Sequence, residues 1–467
     1  MKRWLRRLLR VLAVGAALIV AMLCICLEGV DHRPYFRAPY YESTRARLDS
    51  ALTNQAVVFG PLRAGFGKAL LTPTLNAAQE NPEQGQFRSV PLAGYGDRDG
   101  RPATGVHDDV FVKAVAFCVG ARTGVVVSAD ALIIPREVAE EASRRLEQEL
   151  GLHRAQVYFG ATHTHASLGG WGEGMVAEAF AGGFQPGVRR WFATQLTAAA
   201  RRAVADLSPA AFGAGSFPAP GFVRNRLVGN LGGVDPAFDF ALVKQTDGDL
   251  AVLGVYAAHA TVLSDQVMEF SGDYPGAWQR AVERATGGMA VFLAGGVGSH
   301  SPVAGESGFA GVEKMGEALA QLTAEQLSTT PLTNQLALGV LGLPVDLPEL
   351  HVRLADDWRM RPWLAKRLLR VAPQTYLQVF RLGNSLWIST PCDFSGELAV
   401  ALKEHLRLRD RQAVITSFNG DYIGYVIPDR YYHLNSYESR LMSFFGPTVP
   451  DYFEDLIRSL AGRLAQH

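Results

Sequence analysis

Cysteine is scarce in this chain. Four occur in 467 residues, and Cys24 and Cys26 both lie in an N-terminal apolar run, so only Cys118 and Cys392 remain for the rest. That number excludes a disulfide scaffold, and the absence of a C-x-x-C pair excludes a cysteine-built zinc site. An excess of either charge is also missing: Lys plus Arg and Asp plus Glu number 45 each. A neutral chain has no electrostatic footprint for nucleic acid, so no nucleic-acid partner is expected. The 48 glycines follow no collagen or repeat period and mark turns. With 48% apolar and 19% charged residues, the mix is that of a folded chain, which excludes disorder as its main state.

What is present begins at the N-terminus. Residues 1–10, MKRWLRRLLR, hold five cations and no anion, and Val11–Leu27 then run without a charge. At 1.5 Å per residue that run is about 26 Å long as a helix, enough to span a bilayer core. Its exit, Cys24-Ile25-Cys26-Leu27-Glu28, has no small-residue cleavage pattern. We read a cytoplasmic basic segment at 1–10 and an uncleaved transmembrane signal-anchor at 11–28, with the remainder extracytoplasmic. A cleaved signal is the alternative, with the same compartment. Residues 29–60 read as a stem with one short helical pattern near 42–54. Residues 61–467 read as one large mixed α/β domain.

Within that domain strand and helix patterns alternate. Strand-like runs are 110–118, 124–129, 156–161, 251–257, 290–294, 376–389 and 413–416. Helical patterns cover 135–150, 189–206, 275–286, 309–327, 395–407 and 451–465. No Pro/Ser-rich linker divides them.

The histidines carry the chemistry. His163 and His165 stand in Ala161-Thr162-His163-Thr164-His165, directly after a strand. On extended backbone, side chains repeat every two residues, so both imidazoles face one side. That suits two ligands, or one ligand and one proton-transfer group. His259 follows another apolar strand, where α/β sheets place their sites; alone, it reads as a hydrogen-bonded structural histidine. Gly295-Gly296-Val297-Gly298-Ser299-His300-Ser301-Pro302 follows a third strand. Ser301 there is either a nucleophile or part of a glycine-rich turn, and proline after it breaks the nucleophile-elbow pattern.

These blocks together resemble the neutral/alkaline non-lysosomal ceramidase family. Ala161–Ser167 is similar to its T-H-T-H-[SA] signature. Ala64–Lys68 with Thr72-Pro73, Gly94-Tyr95-Gly96, Gly105–Asp108, Asn225-Arg226, Gly298–Pro302, Pro391–Ser395, Tyr422–Tyr425 and Tyr437-Glu438 resemble its other blocks, in the same order. The resemblance spans about 61–450. It implies one catalytic Zn2+ ion and hydrolysis of the amide bond of ceramide, or a similar N-acyl lipid, to sphingoid base and fatty acid. By matching position, it implies His163, His259, Asp393 and Tyr425 as zinc ligands. His165, Arg226 and Tyr437 match positions that contact substrate and stabilise the transition state. Ser301 matches a serine assigned either as nucleophile or as a hydrogen-bonding residue of the site. Gly65 and Gly67 match a strand whose backbone lines the pocket. The C-terminal β-sandwich domain of the long relatives has no counterpart in this sequence.

Three positions depart from the family pattern: Asp393 replaces Glu, Ser299 replaces Asp, and Val303 stands where Asn is common. Two other function classes stay open: a metal-independent serine amidase or esterase using Ser301 with His165 or His259 as base, and an inactive lipid-binding ectodomain.

Overall fold

The computed structural model describes residues 2–51, 57–369, 371–407 and 411–465. Among them are ten α-helices: α1 (Lys2–Cys26), α2 (Pro39–Ala51), α3 (Arg136–Leu150), α4 (Met175–Ala181), α5 (Pro186–Ala205), α6 (Asp273–Thr286), α7 (Gly308–Leu327), α8 (Pro362–Leu369), α9 (Gly396–Arg407) and α10 (Val449–Ala465). They surround a mixed sheet of twelve strands. The long strand Val58–Leu70 is its pivot. Its start pairs with Gln335–Asp346, its remainder with Phe111–Val119, and Arg63-Ala64 with Ser208–Pro218.

From that pivot the sheet runs three ways. One arm continues through Ala237–Gln245 and Leu250–Tyr256 to Met289–Ala294. The second runs through Gln374–Leu382 and Ser385–Ser389 to Gln412–Thr416, and the third through Arg122–Ala129 to Val157–Ala161. The arms fold so that their inner faces share one apolar core, including Phe117, Tyr158, Phe212, Leu293, Phe380 and Trp387. Helices cover the outer faces. α3 and α5 bury Leu146, Phe192 and Leu196 over the third arm. α6 and α7 bury Trp278, Met315 and Leu319 over the first, and α9 and α10 bury Leu402, Phe453 and Leu460 over the second. This is the mixed α/β architecture expected from the sequence.

The helices expected from periodicity all form, with ends shifted by a few residues. The run 376–389 is two strands, because Gly383 at φ +63° turns the chain into a hairpin with Leu382 opposite Ser385. Ser208–Pro218, Ala237–Gln245 and Gln335–Asp346 were absent from the expected strands. Glycine and proline interrupt two of them, and packing is the reason: a side chain at Gly215 would meet the Phe240 ring at 2.7 Å.

Residues 35–48 of the expected stem pack on the body. Tyr35, Tyr40 and Tyr41 pack on Tyr452 of α10 at ring separations of 5.8, 5.2 and 6.1 Å. Thr44 and Leu48 of α2 are fully buried, and Tyr452 donates to Thr44 Oγ1 at 2.9 Å. This ring cluster joins the segment to the body through apolar contacts that the sequence pattern does not reveal. Expected helical positions 52–54 lie outside the described residues.

By length and composition, Arg3–Cys26 could cross a membrane, and none of its apolar window is buried against the body.

Candidate functional site

Five segments leave the carboxyl ends of strands and meet. They follow Val157–Ala161, Leu250–Tyr256, Met289–Ala294, Ser385–Ser389 and Gln412–Thr416. Backbone bonds hold the ends together: Gly295 N–H donates to Tyr256 O at 2.9 Å, and Ser417 N–H to Ala294 O at 3.0 Å. Strand ends gathered in this way are where open α/β sheets place ligands.

The strand ends at Ala161 and His163 adopts φ +64°, in the left-handed region, so the extended backbone expected for the H-x-H pair is absent and a turn, not strand alternation, brings the two rings together. The His163 N–H is fixed by Ala131 O at 3.0 Å, and its ring stacks on Phe418 at 4.1 Å. Nδ1 lies 2.6 Å from Leu132 O, which assigns the ring proton to Nδ1 and leaves a lone pair on Nε2. That Nε2 is 2.9 Å from His259 Nε2, which in turn is 3.1 Å from His165 Nε2. All three imidazoles are buried, and their facing nitrogens lie within 4.8 Å of one another.

Unless one of the facing nitrogens carries a proton, imidazole lone pairs at this separation repel, and a cation between them would relieve that repulsion. Asp393 strengthens that reading. Its Oδ1 is 3.4 Å from His163 Nε2 and 3.8 Å from His259 Nδ1, yet has no hydrogen-bond partner. Two ligands bound to one zinc ion at about 2.0–2.1 Å in tetrahedral geometry would be about 3.3 Å apart. The three imidazoles could therefore hold a metal ion, and Asp393 Oδ1 lies 3.4 Å from the His163 nitrogen that faces the cluster. Tyr422 donates to the other oxygen, Asp393 Oδ2, at 2.8 Å and so aims Oδ1 into the cluster.

Asp393 does not cap α9. It lies in the short strand Asp393-Phe394, paired in parallel with Tyr425-Val426, and Asp393 stands opposite Tyr425. Ser395 serves the helix instead, its Oγ accepting from Glu397 N–H at 3.3 Å. The same pairing brings Tyr425 to the site. Its hydroxyl accepts from Arg226 Nη2 at 2.9 Å and is held well above the usual phenol range by burial and then by Asp393. Arg226 Nε also lies 2.9 Å from Glu438 Oε1. Burial opposes the Arg226 charge, but Tyr425, Glu438 and Asp393 outweigh it and hold its pKa above the ordinary value. Tyr437, on the turn Tyr437–Leu441, packs its ring on Tyr425 at 5.8 Å and is half-exposed at the rim. Burial and Asp393 push its hydroxyl up to about 12.

His165 is held differently. Gly94, at φ +117°, lies against its ring, and a side chain there would meet His165 Cγ and Nδ1 at 2.6 Å. Tyr95 packs on the same ring at 4.7 Å. Buried Arg98 donates to the His165 carbonyl, to Ala93 O at 3.2 Å and to Val267 O at 2.8 Å. Burial, His163, Arg98 and Arg226 all depress the basicity of His165; burial, Arg226 and the other two imidazoles do the same for His259.

The run Gly295–Pro302 braces the site. Gly298 N–H donates to Phe394 O at 2.9 Å, and Arg226 N–H to Ser299 O at 2.8 Å. Ser299 Oγ is 2.9 Å from Ser395 Oγ, so the two hydroxyls form a hydrogen-bonded pair. Ser301 pairs in register with Arg224 and accepts from Arg224 Nε at 3.0 Å. Its partner is thus a guanidinium, which cannot act as its base.

The expected residues His163, His165, His259, Asp393, Tyr425, Arg226 and Tyr437 therefore converge. Gly65 and Gly67 have another setting. A side chain at either would strike the α5 backbone, at Ala203 and Asp206 for Gly65 and at Ala199 and Ala203 for Gly67. Helix packing accounts for glycine at both positions. Tyr422, Glu438 and Gly94 had stood in the matching motifs without a role. Arg98, a lone arginine in a loop, gave no signal.

The class defined here is a mixed α/β fold with a buried three-imidazole cluster and adjacent carboxylate that could hold a metal. Comparison with known proteins makes it more particular. Residues 84–226 match the family model for neutral/alkaline non-lysosomal ceramidase, N-terminal. Neutral ceramidase of Mycobacterium tuberculosis is 27% identical over 229 residues, 45% of this chain and 36% of that protein. Neutral ceramidase of Pseudomonas aeruginosa is 26% identical over 261 residues, 52% and 37% respectively. The matched stretch thus spans little more than a third of these curated relatives. The crystal structure of the P. aeruginosa neutral ceramidase superposes with a TM-score of 0.71 at 19% identity, covering 87% of this chain and 75% of that one. A ceramidase complexed with C2 gives 0.71 at 20% identity, covering 86% and 75%. The resemblance read from the sequence is borne out: the chain is similar to the neutral/alkaline ceramidases and has the fold of the P. aeruginosa enzyme.

Proposed function

We propose that the chain is a zinc-dependent amide hydrolase acting on ceramide or a related N-acyl lipid. The observation that carries the reading is the cluster itself: facing imidazole nitrogens beside the orphaned Asp393 Oδ1. His163, His259 and Asp393 would hold the ion, with Tyr425 adjacent. A bound zinc ion supplies Lewis acidity and a water acidic enough to ionise near neutral pH.

The chain's own groups then have distinct tasks. Arg226 is a fixed cation, oriented by Glu438 and by the Tyr425 hydroxyl, and can donate to the oxygen that gains charge as the amide carbonyl becomes tetrahedral. Tyr437 stays a neutral phenol at physiological pH and can donate from the rim. His165 is neutral, and its Nδ1, buried against Gly94, has no hydrogen-bond partner. It can hydrogen-bond the amide and carry a proton to the leaving nitrogen. Buried Arg98 fixes its backbone while this occurs.

We infer in addition that α1 is a retained anchor and that the domain is extracytoplasmic, supported by the five cations ahead of its apolar run.

The test uses the purified full chain in detergent. One zinc per chain and release of labelled fatty acid from a fluorescent ceramide, lost with a chelator and regained with zinc, are the expected results. Hydrolysis that survives metal removal but fails in Ser301→Ala would replace this reading with the serine one. A metal-loaded chain inert toward N-acyl lipids would overturn the substrate class.

A further inference from the structure

We propose that residues 354–368 form a membrane-docking surface seated in the headgroup layer of the bilayer that α1 crosses. This rests on the reading of α1 as a retained anchor.

The junction between α1 and the body is tight. Leu27–Gly29 continue directly from the helix and pair antiparallel with Trp358–Met360, Leu27 opposite Met360 and Gly29 opposite Trp358. Arg361 N–H donates to Cys26 O at 2.8 Å, and its Nε to Leu27 O at 3.2 Å. Val30 N–H donates to Asp357 O at 3.0 Å, and buried Arg359 pairs with Glu28 at 2.7 Å. The backbone thus becomes part of the body within three residues of leaving the helix. Whatever surrounds Trp358 sits at the level where the apolar run Val11–Leu27 ends, which is the bilayer surface.

The side chains there suit that level. Leu354, Trp358, Trp363 and Leu368 are 58%, 53%, 54% and 48% exposed. Among the described residues, Trp358 and Trp363 are the exposed tryptophans outside α1. α8 turns Pro362 and Ala365 into the body and presents Trp363, Lys366, Arg367 and Leu368 outward. Tryptophan and leucine flanked by cations is the composition of a helix lying in a membrane interface. Lysine and arginine stems can cover apolar surface while their charged ends reach phosphate. Of the nearby acids, Asp356 is paired with Arg440 and Glu349 lies 3.8 Å from Lys366, while exposed Asp357 stands beside Trp358.

The surface is continuous with the rim of the site. Arg353 donates to Ser439 O, and the Arg440–Asp356 pair joins the same two segments. These contacts bind the 353–356 loop to the turn Tyr437–Leu441, where Tyr437 and Leu441 are exposed. A docked body would present this rim to the outer leaflet, so a lipid amide could enter without crossing water.

The experiment uses the full chain reconstituted in phosphatidylcholine–phosphatidylglycerol vesicles containing doxyl-labelled phosphatidylcholine. In a Cys24→Ser/Cys26→Ser background, an NBD fluorophore is attached at Trp363→Cys, or at Lys366→Cys should the first variant fold poorly. Gln321→Cys on α7 is the control. Cys118 and Cys392 are buried and stay unlabelled. Expected is loss of most NBD emission at position 363 or 366, and none at 321. Unquenched emission at both α8 positions, in a chain that resists carbonate extraction, overturns the docking surface and leaves the anchor standing. Release of the chain by carbonate overturns the anchor reading and the inference with it. An α8 label shielded from aqueous iodide yet untouched by doxyl lipid would indicate a protein neighbour, such as a second copy, and also overturns the inference.

Discussion

Replacing Tyr422 by Phe removes a single hydroxyl and isolates what orients Asp393. The ring has reasons to stay in place, since it packs at 6.2 Å from Phe180 and 6.3 Å from Phe418. What is lost is the 2.8 Å bond to Asp393 Oδ2. A hydrogen bond to a buried carboxylate contributes about 1.5–3 kcal/mol, so melting should show a destabilisation of that order. The separate effect is on metal. Free to rotate, the carboxylate would no longer point Oδ1 at the gap between His163 and His259. Loss of a partner of this kind typically lowers metal affinity about 10–100-fold, equivalent to about 1.4–2.7 kcal/mol. A competitive chelator titration of the zinc-loaded full chain reads the affinity directly. Asp393→Asn is the companion: it keeps the shape but removes the charge, and should lose the metal outright. Since Ser395 rather than Asp393 caps α9, Asn gains nothing from helix capping. Wild-type zinc affinity in both variants, with only the stability loss in Tyr422→Phe, would refute Asp393 as a ligand.

Arg226→Ala should lower turnover about 10²–10³-fold while bound zinc stays near stoichiometric, as read by metal analysis beside kinetics; unchanged turnover would return Arg226 to a structural ion pair with Glu438. Gly94→Ala should displace the His165 ring, because its side chain would sit 2.6 Å from Cγ, and activity should fall more than melting temperature. Gly67→Ala should act through packing: its side chain strikes the α5 backbone, so a loss of about 1–3 kcal/mol in stability is expected, with KM unchanged in whatever fraction stays folded. A selective rise in KM without destabilisation would restore Gly67 to the pocket wall.

The legibility of this molecule in its sequence follows from which features are local. Helices such as α6 and α10 show as one-sided apolar patterns, and the His163/His165 pair shows as a motif after a strand, although the left-handed turn at His163 that joins the rings does not. The strand Ser208–Pro218 does not show, because the glycines that let Phe240 and the chain at Pro331 approach also weaken its strand pattern. Arg98 does not show either: its value lies in carbonyls supplied by residues 93, 165 and 267, which no spacing brings together. Gly65 and Gly67 were read through the family motif as lining a pocket, whereas the close approach of α5 explains them physically. Tyr35, Tyr40 and Tyr41 fall in the segment read as a stem, and their role appears only when Tyr452, far along the chain, is placed beside them.

The bracing run Gly295–Pro302 has a consequence for how the molecule is made. It joins the strand Val223–Asn225, just before Arg226, to the segment bearing Asp393, and the Arg226–Tyr425 bond alone links residues 199 positions apart. Contacts of such range are slow to form, because the chain between them must first be brought into place. Little of the site can therefore exist while the polypeptide is still emerging: His163 and His259 appear early, but their carboxylate partner arrives only after Ser385–Ser389 has entered the sheet. Acquisition of the metal would then mark the end of folding, and a chain stalled before that point would hold buried-type histidines without the anion that balances a bound cation. Metal uptake during refolding, followed beside the change in tryptophan emission, would time the last step of assembly.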